Sequence, residues 1–382
     1  MNLAFSAPQE ALNAALKAAG RAVAARAPMP VLQGVLLAAD EQGVEVTGYD
    51  LAVGISASLA AEVTGQGRVV APYRLLADLV GRLPAGSVVE LAAEGGRLAV
   101  EAPGASYAIA CADEAEDWPA LPVVGGGAWS LDLPLAPLQD ALRRVVGATA
   151  AESEEHKGPA RGVLMALEGG TLHLMATDGH RASWAELPGI GGETPDMDAI
   201  LTSRMVREIE KLACDSESLI SVSVQSGLLS VAADEFHLIG NLLDGDYPRV
   251  RAWFPTKFAY IAAFDSEILG EAVERASVIA AETNQAVVFR YSAADQSITI
   301  SVENESGNGV DVVAVSCAAK KDIQIAFNPK YVLAALKNVE GKRLELCMNE
   351  PLQPVLIRSA AKSLHRYLVV PVNIEKPAKP AK

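Results

Sequence analysis

With 382 residues, 50% of them hydrophobic and 21% charged, the chain has the composition of a folded globular protein with room for about two to four domains. Its formal charge of −15 excludes a surface that adheres to nucleic acid everywhere, since phosphate contacts need Lys and Arg, and leaves open only a local basic face. The N-terminal MNLAFSAPQE lacks the features of a secretion signal, and no run reaches the roughly 18 apolar residues of a membrane span, so a cytoplasmic protein without membrane contact is expected.

The first predicted element is an amphipathic helix, PQEALNAALKAAGRAV from Pro8, followed by alternating, strand-like VLQGVLLAADEQGVEVTGYD. A second helix, PYRLLADLVGRL from Pro72, leads into SVVELAAEGGRLAVEAPGASYAIAC, and the glycines 125 to 127 of VVGGGAWS mark a joint. The order then recurs: helix APLQDALRRVVGAT from Ala136, strands GVLMALEGGTLHLMATDGHRASW, helix TSRMVREIEKLA from Thr202, strands SLISVSVQSGLLSVAADEFHLIGNL. After a second joint in YPRVRAWFPTKF, ending near Phe258, come SEILGEAVERASVIAA from Ser266, strands AVVFRYSAADQSITISVEN and helix NPKYVLAALKNV from Asn328. The closing EKPAKPAK has no core-forming residues and is expected to be disordered.

The first helices of the three passages start 128 and 130 residues apart and the second helices 130 and 126 apart, so two independent series keep one period. Pro or Ser/Thr/Asn stands at or near each helix start, as first-turn and capping chemistry prefers. The repeat sets domains at 1–127, 128–256 and 257–374, with a tail at 375–382. Together the six helices hold twelve basic and eight acidic residues, a net charge of +4 that leaves −19 elsewhere. A mildly cationic set of helices against an acidic remainder suits a protein that lets duplex DNA touch one surface only; the plain alternative is the solvated face of ordinary amphipathic helices. The third repeat departs from the trend, its first helix carrying three glutamates against Arg275.

Cys111, Cys214, Cys317 and Cys347 form no metal-spaced pair, and each sits in or beside an apolar run, so buried free thiols are expected. The motif TDGHR, Thr177 to Arg181, admits two readings. Asp-Gly between strand-like runs signals a hairpin turn, while Asp178 and His180 suggest a metal site or a β-rich hydrolase; no second ligand motif supports the chemistry. His156 and Lys157 lie in a charged loop that is either DNA-facing or simply solvated. Trp118 and Trp253, each beside or near a proline, are expected to pack at domain joints.

The segments RAPMPVLQGVLL, TGYDL, ATDGHRAS, DGDYPRVRAWFP, ERASVIAAETNQAVVFRY, FNPKYVLAALK and the ending YLVVPV, in this order from about Asn2 to Ile374, resemble the β subunit of bacterial DNA polymerase III, the sliding clamp. The resemblance implies an α+β fold of three similar domains, each with two helices and antiparallel sheets, assembled as a head-to-tail dimeric ring. It implies a non-catalytic processivity factor that needs no cofactor or metal and surrounds duplex DNA without regard to sequence. Implied partners are a second copy of the chain, the DNA polymerase III catalytic subunit, a clamp loader, and other polymerases and repair proteins carrying a clamp-binding motif. A partner-peptide pocket is implied at Thr177, Gly179, His180, Arg181, Pro248, Asn328, Tyr331, Val370, Pro371 and Val372. DNA contacts are implied at Arg26 and Arg204, to which charge and placement add Arg82, Arg143, Arg144 and Lys211. Ala182, Ala252, Trp253 and the VVPVN ending depart from the family pattern. A scaffold that binds only proteins remains the other non-enzymatic reading.

Overall fold

The computed structural model describes residues 3–24, 29–111, 115–125, 128–190, 192, 194–212, 218–283, 286–361 and 363–373. The first repeat runs β1 (Ala4–Pro8), α1 (Gln9–Ala19), β2 (Gly34–Asp40), β3 (Gly43–Tyr49), β4 (Val53–Leu59), β5 (Glu62–Gly65), β6 (Gly67–Pro72), α2 (Tyr73–Val80), β7 (Val88–Glu94), β8 (Arg97–Ala102) and β9 (Ala105–Ala110). The second has the same order without an equivalent of β5: β10 (Trp129–Pro134), α3 (Leu135–Val146), β11 (Gly162–Glu168), β12 (Thr171–Thr177), β13 (Arg181–Pro188), β14 (Met197–Thr202), α4 (Ser203–Glu210), β15 (Leu219–Gln225), β16 (Leu228–Ala233) and β17 (Phe236–Asn241). The third repeats it once more: β18 (Tyr260–Asp265), α5 (Ser266–Thr283), β19 (Val287–Ser292), β20 (Ser297–Asn304), β21 (Gly307–Ala314), β22 (Ile323–Phe327), α6 (Pro329–Asn338), β23 (Arg343–Met348), β24 (Val355–Ser359) and β25 (His365–Val369). All six expected helices form.

The repeat is deeper than helix spacing. The inward residues of α1 are Leu12, Ala15, Leu16 and Ala19; those of α3 are Leu138, Ala141, Leu142 and Val145; those of α5 are Leu269, Ala272, Val273 and Ala276. Each set follows i, i+3, i+4, i+7, the stripe by which a helix buries one face. In the first repeat this stripe packs with Phe5, Val35, Leu76 and Leu91 into one cluster, where truncating a residue such as Leu16 to alanine costs about 2–5 kcal/mol. Gly48, in TGYD, is required here because a Cβ would stand 2.0 Å from the carbonyl oxygen of Ala19, where α1 ends.

Every repeat contributes two half-sheets, one of the type β6-β2-β3-β4 and one of the type β1-β7-β8-β9, and these merge between successive repeats. Strand β4 pairs with β17, Ala57 opposite Phe236, closing one eight-stranded sheet; β13 pairs with β25, Arg181 opposite Val369, closing another. The remaining sheets, β5-β1-β7-β8-β9 and β21-β20-β19-β22, end in edge strands β9 and β21. The chain accordingly forms two compact units, Met1–Leu135 with Ser216–Leu242, and Ala136–Asp215 with Leu243–Lys382, which divide the second repeat between them. The half-sheets that end in β4 and β13 each complete their hydrogen bonding with the last strand of the next repeat.

The second joint, YPRVRAWFPTKF, is packed: Tyr247, Val250, Phe254 and Phe258 lie on one face of the sheet containing β12, β13, β24 and β25. Within its short 3-10 turn Val250 faces inward and Trp253 is 38% exposed, whereas Trp118 is buried against Leu32, Tyr49 and Val70. Cys317 and Cys347 are buried free thiols, burial pushing the Cys347 thiol up to about 12, but Cys111 is only half-buried. Cys214, Arg26 and the tail lie outside the described residues.

Candidate functional site

The peptide-site residues expected from sequence all fall in one compact unit, and the TDGHR hairpin organises them. Gly179 takes a φ of 88°, the left-handed turn conformation that favours glycine. Asp178 is buried, and its Oδ1 accepts from the backbone N–H of His180 at 2.9 Å and of Arg181 at 3.0 Å, while Oδ2 accepts from Arg181 Nε at 2.8 Å. Thr177 Oγ1 donates to the Arg181 carbonyl at 2.6 Å and accepts from Gly179 N–H at 3.0 Å; Lys157 Nζ donates to the Asp178 carbonyl at 2.7 Å. The turn is stitched from its own side chains, which is the role of Asp at such positions. The hydrolase alternative thereby loses its carboxylate, and among the described residues no three His, Cys, Asp or Glu side chains converge as a metal set.

The exposed His180 ring stacks on Tyr331 with centroids 6.0 Å apart and planes 11° apart, and the Arg181 guanidinium carbon lies 5.0 Å over the same ring. Burial raises the Tyr331 phenol pKa, with the Asp178 charge adding to it. Tyr331 stands in the first turn of α6, whose N-cap Asn328 accepts from Lys330 N–H at 3.0 Å. The chain after β25 continues beside the hairpin, Val370 N–H donating to the His180 carbonyl and Val372 N–H to the Ala326 carbonyl, both at 2.8 Å. On the other side the connector brings half-buried Pro248 beside Tyr247, whose hydroxyl donates toward the carbonyls of Gly162 (3.1 Å) and Met175 (3.3 Å). Val370 and Tyr247 border one apolar cluster with Met175, Ala182 and Leu368. A second cleft of about 400 Å³, lined by Thr149, Glu152, Asp178, Arg181, Arg207 and Tyr331, runs from the hairpin to α4.

The basic residues divide. Helices α3 and α4 are bound together by buried Gln139, whose Nε2 donates to the carbonyls of Ile209 and Leu212 at 2.9 Å, and Arg143, Arg207 and Lys211 all act on the half-buried Glu210 carboxylate. Arg143 is 61% exposed and Arg207 58%; Arg207 is a cation on this face that the sequence reading left out of its site. Lys211 is exposed and pairs with Glu208 at 2.8 Å, and Arg204 is half-buried. Arg82 is exposed in the other compact unit. Arg144 is held internally. Only 14% exposed, it donates to Asp140 (2.9 and 3.0 Å), to the carbonyl of Asn338 (3.0 Å) and to Glu340, so it ties α3 to the end of α6. Behind it, Ser183 Oγ donates to the Arg144 carbonyl at 3.1 Å and accepts from His365 Nε2 at 2.8 Å, a polar seam that sequence spacing gave no means of finding.

Family models for the N-terminal, central and C-terminal domains of the DNA polymerase III beta subunit match residues 3–122, 136–249 and 251–373. The chain belongs to the DNA polymerase III beta subunit family. A beta sliding clamp of Synechocystis sp. is 30% identical, the match covering 96% of this chain and 98% of that protein, and one of Streptomyces coelicolor is 28% identical over the same shares. In fold the chain matches the DNA polymerase III subunit beta of Pseudomonas aeruginosa with a TM-score of 0.91, at 23% identity over 97% of this chain and 100% of the other. The Bacillus subtilis sliding clamp gives 0.90, at 23% identity over 98% and 100%. As a member of this family the chain is a non-catalytic DNA sliding clamp built from three clamp domains.

Proposed function

We propose that two copies of this clamp close head to tail around duplex DNA, with domains at 1–127, 128–256 and 257–374, and that the ring tethers the replicative polymerase through the pocket around TDGHR. The observation that carries the ring is the joint rule. Twice within the chain the outer strand of one half-sheet, β4 or β13, pairs antiparallel with the last strand of the next repeat, β17 or β25. Each copy keeps an open β21 and an open β9, and a third application of the rule pairs β21 of one protomer with β9 of the next. Such a contact is heterologous and closes into a ring when the rotation returns on itself. Placing these strands in the register of the β13–β25 joint sets Gly309 opposite the partner's Tyr107, the missing Cβ leaving room for an aromatic ring. Tyr107, Val310 and Val312 are 51%, 67% and 66% exposed in the single chain, and an edge strand carrying such residues invites another strand.

Inside the ring, Arg82, Arg143, Arg204, Arg207 and Lys211, together with Arg26, supply phosphate contacts that carry no sequence information. The pocket takes a short peptide by offering apolar surface at Val370 and Pro248 beside a few fixed polar groups at His180, Arg181 and Asn328, the usual make-up of such sites. Its occupants are the polymerase catalytic subunit, the clamp loader, and other polymerases and repair proteins bearing the same motif. A clamp works where the bacterial chromosome is, in the cytoplasm.

The test is topological. Loaded onto circular DNA, the protein should have the mass of two chains, stay bound, and leave once the DNA is linearised. Equal retention on both forms would reject encirclement. Val370→Asp should abolish polymerase binding with the dimer intact; normal polymerase affinity would reject the pocket.

A further inference from the structure

We propose that Trp184 is a positioning residue of the peptide pocket, holding its two side walls at a fixed separation; the proposal rests on the pocket reading above. One wall is the connector that carries Pro248, and the other is the stretch after β25 that begins at Val370. Both are tied to the Trp184 indole. From the connector, Phe254 meets the ring edge-on, centroids 5.4 Å apart at 69°, and the Arg251 guanidinium carbon lies 5.5 Å over it. From β25, Arg366 stands directly opposite Trp184 in the strand register and its guanidinium carbon lies 4.4 Å over the ring.

Each clamping group is itself fixed. Arg251 forms a two-pronged pair with Glu168 at 2.7 and 3.1 Å, and Arg366 donates to Glu186 at 3.1 Å. The indole Nε1–H donates to His173 Nδ1 at 3.2 Å, which fixes the ring plane and requires the histidine to carry its own proton on Nε2. Planar guanidinium groups over an indole are favourable because the ring face is electronegative, and bidentate pairing with a carboxylate removes the rotational freedom that would blur the contact.

The placement explains why a bulky residue occupies this strand position. Ala182, two residues earlier on the same face of β13, is fully buried beneath the connector, and its small side chain lets the connector settle close to the sheet. Trp184 then acts as the spacer that stops it. Without the indole, Arg251 and Phe254 lose their common seat, the connector shifts relative to Val370, and a peptide meets walls at the wrong distance although no residue facing it has changed.

The test uses the full-length dimer and a fluorescently labelled clamp-binding peptide from the organism's own DNA polymerase III catalytic subunit. Trp184→Ala should weaken binding about tenfold, chiefly through faster dissociation, and Trp184→Phe, which keeps an aromatic face, should restore most of it. Dimer mass and retention on circular DNA should not change. Because both act through one clamp, Trp184→Ala combined with Arg251→Ala should be no worse than the more damaging single change. Wild-type peptide affinity in Trp184→Ala, no rescue by Trp184→Phe, or losses that multiply in the double variant would each overturn the proposal. Should Trp184→Ala fail to fold, Glu168→Ala frees Arg251 without touching the core, and unchanged peptide affinity there overturns it equally. Val370→Asp tests the pocket separately: if that variant binds the peptide normally, the pocket reading falls whatever the Trp184 variants do.

Discussion

Arg143 and Arg144 are sequence neighbours with opposite fates, and replacing each by alanine separates their roles. Arg144 is 14% exposed and makes charged hydrogen bonds to Asp140 and Glu340 and one to the Asn338 carbonyl. The two carboxylates are 49% and 66% exposed and regain water when the guanidinium goes, so they add little to the cost. What remains is the orphaned Asn338 carbonyl and the lost packing of a buried side chain, together about 2 kcal/mol. Arg143 is 61% exposed, 4.0 Å from Asp140, and its removal should change stability by less than about 0.5 kcal/mol. On DNA the order reverses. Arg143→Ala should lower the slope of log affinity against log salt by about 0.9, the value of one phosphate contact, and Arg144→Ala should leave it unchanged. Hydrogen exchange of amides in α3 and α6 measures the first effect and duplex binding across a salt series the second. Arg144→Ala exchanging like the wild type while flattening the salt slope would refute the assignment of Arg144 as an internal tie.

Gln139→Leu strips the carbonyls of Ile209 and Leu212 of their donor and should destabilise the α3–α4 pair by about 2–3 kcal/mol, read as faster hydrogen exchange in α4; unchanged protection would show that water replaces the amide. Burial, with the Arg144 charge adding to it, drives the His365 pKa from 6.5 down to about 3. Between these values the unfolded chain holds a proton that the folded chain does not, so this stability is complete above about pH 6.5 and falls by about 1.4 kcal/mol per pH unit as pH drops toward 3. His365→Gln should lose that contribution to the slope of unfolding free energy against pH, and equal slopes in both proteins would contradict it. Tyr107→Asp places a charge in the proposed joint between copies and should halve the mass seen by sedimentation; a dimer of unchanged affinity would move the interface elsewhere.

Much of this was legible in order along the chain. Helix starts were readable because capping and apolar periodicity are local: Thr202 and Asn328 accept from the backbone N–H of Met205 and Lys330 as their residue types suggest. The Asp-Gly turn of TDGHR was readable for the same reason. The fates of Arg143 and Arg144 were not, because their spacing is the same to any sequence pattern and only the position of Asn338, nearly two hundred residues on, decides which one is buried. That Val250 rather than Trp253 faces inward was not legible, since the inward direction of a short 3-10 turn depends on the sheet beneath it. Trp184 carried no signal at all: its partners come from β12, β25 and the connector.

The threefold period, the helices, the alternation of the strands and the uneven distribution of charge can all be read along the chain, because they are products of short-range backbone and side-chain preferences. That the sheets join across repeats, that the second repeat is shared between two units, and that β9 and β21 each keep an open edge are outcomes of long-range pairing. Hydrogen bonding between strands is non-local and nearly blind to residue identity, so the pairing that turns three repeats into a clamp is specified by what else each strand must bury.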